Sequence, residues 1–165
     1  MRAKAFVAVL LACCGATPLM AQGSDAGDGL RVGISFGGIS TVGITVELFR
    51  NTHAVDFGLG TWSFNDLSVS AALREYIGGR ALRPFVGAGL WAVVAAPALE
   101  GERTGFALVL RAPVGVDWSF VDDNAVGLAL NLNRGLAVRR SDPRDDLPLN
   151  RRLVPLPEVY YRFRP

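Results

Sequence analysis

The sequence predicts an all-β chain that closes into an antiparallel up-and-down transmembrane β-barrel of about eight strands, and three observations predict it. First, apolar residues alternate with small, polar or charged ones at a period of two, segment after segment. A strand sends neighbouring side chains to opposite faces, so each segment has one greasy row and one mixed row. Second, the segments are separated by short turn-forming stretches, and 19 glycines and 9 prolines argue against a helical bundle. Third, the mixed row is mostly glycine, serine and alanine with isolated charges, and Lys4 is the chain's only lysine. Such a row makes a poor solvated surface and a good interior for a narrow barrel.

The segments follow in order. In LRVGISFGG (30–38), Leu30, Val32, Ile34 and Phe36 alternate with Arg31, Gly33 and Ser35. TVGITVELF (41–49) sets Val42, Ile44, Val46 and Leu48 against Gly43, Thr45, Glu47 and Phe49. HAVDFGLGTW (53–62) sets Val55, Phe57 and Leu59 against Asp56, Gly58 and Gly60. LSVSAALREY (67–76) opposes Leu67, Val69, Ala71 and Leu73 to Ser68, Ser70, Ala72 and Arg74. PFVGAGLWAVV (84–94) opposes Val86, Ala88, Leu90, Ala92 and Val94 to Phe85, Gly87, Gly89 and Trp91. FALVLRAPVGVDWSF (106–120) is apolar at every even position, with Arg111 and Asp117 in its odd row. AVGLALNLN (125–133) and LPEVYYRF (156–163) complete the set, the latter with Val159, Tyr161 and Phe163 against Glu158, Tyr160 and Arg162. Each is near the roughly 9–11 residues that a tilted strand needs to cross a bilayer. The turns are GGIS (37–40), RNT (50–52), FND (64–66), GGRA (78–81), ALEGERTG (98–105), VDDN (121–124) and VRRSDPRDDLPLNRR (138–152). Pro155 and Pro157 predict an irregular start to the last strand.

The 165 residues suit one domain, and half of them are hydrophobic. The body of the chain nevertheless holds no apolar run long enough for a spanning helix. Residues 1–21 read as a cleaved signal peptide: Arg2 and Lys4 at the start, AFVAVLLACCGA (5–16) in the middle, and PLMAQ (18–22) at the exit. Both cysteines, Cys13 and Cys14, lie inside it. A rival reading attaches a lipid at Cys13, which would only add an anchor. Residues 22–29 form a flexible stretch and 30–163 the barrel. Arg2 and Lys4 leave with the leader, which takes the net charge from +2 to zero, and no basic block suggests a nucleic-acid partner.

Placing the greasy row against lipid puts the charged row in the lumen. That row collects Arg31, Arg74, Arg111 and Arg162 with Glu47, Asp56, Asp117 and Glu158, equal in number and opposite in sign. Isolated buried charges would cost several kcal/mol each, so a paired network is expected. The interior of a barrel of about eight strands is just wide enough for side chains, which predicts a plugged lumen and not an open pore. Trp118, Phe120, Tyr161 and Phe163 fall in the outward row near segment ends, where interfacial aromatics belong.

RPFVGAGLWA (83–92), APVGVDWSF (112–120) and PEVYYRF (157–163) resemble strands of small outer-membrane β-barrel proteins of the OmpA/OmpX-like kind, and the pattern runs from about residue 30 to 163. The resemblance implies a monomer in the bacterial outer membrane with a structural or surface-interaction role. It also implies a terminal signal, here Tyr161 and Phe163, for the outer-membrane assembly machinery. Arg164 and Pro165 follow Phe163, which departs from the family's aromatic ending. Short periplasmic turns and longer outer loops would place 98–105 and 138–152 outside.

Around the last of these, Arg134, Arg139, Arg140, Arg144, Arg151 and Arg152 outnumber Asp142, Asp145 and Asp146. Guanidinium forks suit phosphate, so one reading of this stretch is contact with lipopolysaccharide head groups and membrane lipid, and the other is a merely solvated polar loop. His53, the only histidine, has no second histidine and no cysteine outside the leader to join it, so neither a catalytic nor a metal or cofactor site is expected. Two other readings stay open. One is a secreted or periplasmic lipocalin-like barrel carrying a small apolar ligand; the other is an outer-membrane enzyme that modifies lipid A, for which His53 would be needed.

Overall fold

The computed structural model describes residues 28–78, 81–97, 103–121, 124–141 and 152–165. Residues 1–21, read as a signal peptide, and Cys13 within them therefore lie outside the described residues. Eight strands run in chain order: β1 (Asp28–Gly37), β2 (Ser40–Arg50), β3 (His53–Thr61), β4 (Asp66–Tyr76), β5 (Leu82–Ala95), β6 (Gly105–Val121), β7 (Asn124–Arg139) and β8 (Val154–Phe163). Each pairs antiparallel with the next, and β8 returns to β1 through Val32↔Phe163 to Gly37↔Glu158, which closes the barrel. Closure removes the free edges that an open sheet of this size would expose. The antiparallel up-and-down barrel of eight strands is the fold that the alternation predicts.

Register keeps like rows together around the wall. One outward row runs Leu30↔Leu48, Leu48↔Val55, Val55↔Leu73 and Leu73↔Ala88. Burial follows the rows and reverses the rule for soluble domains. Ile44, Leu73 and Leu128 are 55%, 66% and 57% exposed, while Glu47, Asp117 and Arg162 are fully buried. The charged row lines the inside.

Glycines open space for the large interior side chains. A Cβ on Gly127 would fall 2.1 Å from Cζ of Tyr160, and one on Gly115 would fall 2.7 Å from Cζ of Phe85. The ends of two rings thus sit directly over strand glycines. The β1–β2 turn is tight because Gly37 and Gly38 take positive φ of 80° and 69°. At the β3–β4 turn the Asp66 carboxylate accepts from the backbone N–H groups of Trp62 and Ser63 at 2.8 and 3.1 Å.

Three elements differ from the sequence reading. β1 begins at Asp28, inside the stretch 22–29 expected to be flexible, because Asp28 and Gly29 pair with Arg50 and Phe49 of β2. β7 continues six residues past Asn133, to Arg139, because Gly135, Ala137, Val138 and Arg139 pair with the first half of β6. Val109 faces Gly135 and Leu108 faces Ala137, so Leu136 is an extra residue in a bulge. A bulge shifts the alternation by one, which hides the continuation from a period-two reading. The last strand, in turn, starts regularly: Pro155 pairs with Leu132 and Pro157 with Leu130. Gly38 N donates to Pro157 O at 2.8 Å, so the backbone edge of Pro157 faces the β1–β2 turn and its missing N–H removes nothing from the β7–β8 ladder. The proline that does interrupt a ladder is Pro113, where β5–β6 pairing skips from Val86↔Val114 to Gly89↔Arg111.

Gly87 lies in that gap. Its added Cβ would meet Leu73 O at 2.5 Å and Pro113 Cγ at 3.0 Å. Gly87→Leu is expected to destabilise the barrel by about 1–3 kcal/mol through overpacking, read as a lower urea midpoint of tryptophan fluorescence.

Candidate functional site

The most unusual chemistry of the chain is in its interior, where β1 to β4, β6 and β8 each contribute an ionised row residue. The structure brings all eight charged residues of the inward row together. Asp56 is the hub: it accepts from Arg74 Nη2 at 2.9 Å and Arg162 Nη2 at 2.8 Å, and Arg111 Nη1 stands 3.8 Å away. Glu47 takes Arg162 Nη1 at 3.2 Å and Arg31 Nη1 at 3.4 Å. Glu158 takes Arg111 Nη2 at 3.1 Å. Asp117 has Arg31 and Arg162 guanidinium nitrogens at 3.6 and 3.8 Å. Every acid thus faces at least one guanidinium, which the low dielectric of a barrel interior requires.

Neutral partners complete the cluster. The Tyr76 hydroxyl lies 2.5 Å from Glu47 Oε1 and 2.9 Å from Asp117 Oδ2, and Tyr160 donates to Asp117 Oδ1. Arg111 Nε donates to Asn131 Oδ1 at 2.7 Å and its Nη1 to Ser70 Oγ at 3.0 Å. Aromatic faces take the remaining guanidinium planes: Arg162 over Tyr160 at 4.0 Å, Arg74 over Phe85 at 4.7 Å and Arg31 over Phe49 at 4.5 Å. Arg74 Nε and Nη1 make no hydrogen bond among the described residues; Nη1 stands 4.0 Å from Glu47 Oε1, and the Phe85 and Tyr160 rings face the guanidinium. The same phase that collects the charges also contains Tyr76, Tyr160, Asn131 and Ser70. Their position in the inward row was legible, but their role as hydrogen-bond partners was not, because polar uncharged residues are also ordinary barrel lining.

The other sequence-derived positions are spread over the surface. Arg134 is exposed on β7 beside Leu110 of β6, and Arg139 is exposed at the end of β7 opposite Phe106. Arg140 and Arg152 flank the 140–153 connection, and Arg144 and Arg151 lie outside the described residues. Arg103 ties two connections at that end: its N–H donates to Ser141 O at 3.0 Å and its Nε to Arg140 O at 3.4 Å. Tyr161 and Phe163 are exposed on β8, with ring centroids 6.5 Å apart. Trp118 and Phe120 are likewise exposed, 5.7 Å apart. His53 opens β3 at the other end, its Nδ1 against the Glu75 carboxylate on the outer surface. Among the described residues no group of three or more His, Cys, Asp or Glu side chains is placed to hold a metal ion.

No protein-family model and no curated protein matches the sequence. The structure is similar to the crystal structure of the N-terminal β-barrel domain of Pseudomonas aeruginosa OprF, with a TM-score of 0.56 and 15% sequence identity over 82% of this chain and 98% of that one. The likeness is one of fold.

Removing one partner from a buried ionic cluster strands the others. Asp56→Ala leaves Arg74 and Arg162 without their shortest ionic contacts, and a loss of about 3–5 kcal/mol is expected. The check is the urea midpoint of the refolded barrel; a change below about 1 kcal/mol, the size of an exposed ion pair, would contradict the geometry.

Proposed function

We propose that the chain is an integral bacterial outer-membrane β-barrel protein with a structural or surface-interaction role, and that its own charge network plugs the lumen. The observation that carries this reading is the inversion of the two rows: exposed aliphatic and aromatic side chains surround a closed ladder whose interior is ionic. Water would solvate the interior row better than the exterior one, and hydrocarbon suits only the exterior. The strands have 9 to 17 residues, enough to cross a bilayer when tilted. The fold shared with the OprF domain supports the same environment.

The end at which β1 begins and β8 finishes then faces the periplasm, with connections 51–52, 77–81 and 122–123. The opposite end has the longer connections 96–104 and 140–153 and faces outward. Arg134 and Arg139 supply guanidinium forks at that level for lipopolysaccharide phosphates, with Arg140, Arg144, Arg151 and Arg152 in the same stretch of sequence, and surface adhesion or membrane integrity is the role such loops serve. Tyr161 and Phe163 are the assembly signal in this reading. A carrier of apolar ligands needs an apolar interior, whereas this one is built on Arg74, Arg111 and Arg162. An enzyme acting on lipid A through His53 would need that residue near the outer rim, and His53 is at the end assigned to the periplasm.

Leu110, 44% exposed on β6, tests the assignment. Leu110→Arg is expected to cost about 2–4 kcal/mol in a bilayer near the midplane and to reduce the heat-modifiable folded band, whereas Leu110→Ile leaves it intact. A Leu110→Arg protein that assembles like the parent, or a parent that fractionates without detergent, overturns the membrane reading.

A further inference from the structure

The outer wall near the end where β1 begins carries an open groove of about 670 Å³. It lies on the outside of the barrel. Its sides are the outward residues Leu48, Val55, Leu73 and Val86 of four successive strands, above a floor that includes Ala54 and Gly87. The groove ends at three ionisable side chains, Arg50, His53 and Glu75, which also line it. These are register partners: Arg50 pairs with His53, and His53 with Glu75. They form a rung across β2, β3 and β4, one step beyond the apolar row Leu48, Val55, Leu73. Their side chains are 83%, 77% and 43% exposed, so they remain open to a ligand from outside.

We propose that this groove binds a glycerophospholipid whose headgroup carries a primary ammonium beside its phosphate. The proposal rests on the membrane reading above and adds a specific site to it. The apolar sides accept an acyl chain along the wall, and the rung meets the headgroup. The order of charge along the rung selects the headgroup. Arg50 supplies donors to phosphate oxygens on one side, and the Glu75 carboxylate, which faces His53 Nδ1, offers an acceptor on the other. In an ethanolamine headgroup two carbons join phosphate oxygen to ammonium, a reach comparable to the ~4.8 Å between neighbouring strands. Cation and anion on adjacent strands, as Arg50 and Asp28 are, therefore match phosphate and ammonium in one lipid. Asp28, paired across the ladder with Arg50 and 3.6 Å from its Nε, adds a second carboxylate at the same level. A headgroup with phosphate and no ammonium gains the Arg50 contact but leaves Glu75 and Asp28 facing negative charge.

The full chain refolded into bilayers of equal parts phosphatidylethanolamine and phosphatidylglycerol with identical acyl chains provides the test. The protein is then extracted in mild detergent, and its bound lipids are weighed by native mass spectrometry. Retention of phosphatidylethanolamine over phosphatidylglycerol by about threefold or more is expected, the scale of a few exposed charge contacts. Arg50→Gln and Glu75→Gln are expected to bring the ratio to parity, and Val55→Trp, which fills the groove, to reduce retention of both lipids. All three variants keep the heat-modifiable mobility of the folded barrel, because their side chains point away from the interior. Equal retention by the parent chain, a preference for phosphatidylglycerol, or variants that retain lipid like the parent overturn this site and leave the membrane reading standing. A parent chain that never enters the bilayer overturns both.

Discussion

Four guanidinium groups and four carboxylates share one narrow interior, and the rest of the barrel is arranged so that none of them is left alone. A charge in a low-dielectric interior costs several kcal/mol unless it is paired and hydrogen-bonded. Asp56 meets that condition by taking two arginines from different strands, β4 and β8, at under 3 Å. Glu47 and Asp117 do so through Arg31 and Arg162, with the hydroxyls of Tyr76 and Tyr160 filling further acceptor positions. The ionic links cross the lumen, joining residues up to 115 apart in sequence. The cluster therefore couples strands that share no backbone ladder, and closure of the sheet and satisfaction of the charges depend on each other.

The interior residues divide into those that bring charge and those that make room for it. Gly127 and Gly115 let Tyr160 and Phe85 lie against strand backbone, and those two rings in turn cover guanidinium planes. A larger residue at either glycine displaces an aromatic face on which Arg162 or Arg74 depends. The scarcity of lysine fits the same geometry. A planar guanidinium can stack on a ring and bond two acids at once, as Arg162 does, whereas a lysine ammonium is a single point of charge.

Much of this was legible in the sequence, and the reason is the pleat. A strict period of two assigns each residue to one of two faces, so Arg111 and Asp117, six apart, share a side, and the alternation alone puts all eight charges in one row. Partner identity was not legible. Whether Arg111 meets Glu158 or Glu47 depends on the stagger between strands, which the alternation in each strand does not encode. The continuation of β7 was hidden for a related reason: Leu136 is an extra residue that shifts the phase, and beyond it the outward residues become Ala137 and Arg139. The expected irregularity at Pro155 and Pro157 failed because a proline interrupts a ladder only on the edge its nitrogen faces, and there β1 has already turned. The external groove could not have been found by periodicity at all. Arg50, His53 and Glu75 lie at three separate segment ends, and only register sets them side by side.

The proposed place of the barrel rests on which solvent touches the aliphatic row. The most direct measurement attaches a fluorophore through single cysteines at Val114 and Leu128 in the refolded protein and compares quenching by brominated acyl chains with quenching by aqueous iodide. Strong quenching from the acyl chains and little from iodide at both positions is the predicted result. Efficient quenching by iodide and none by the brominated chains would contradict the account.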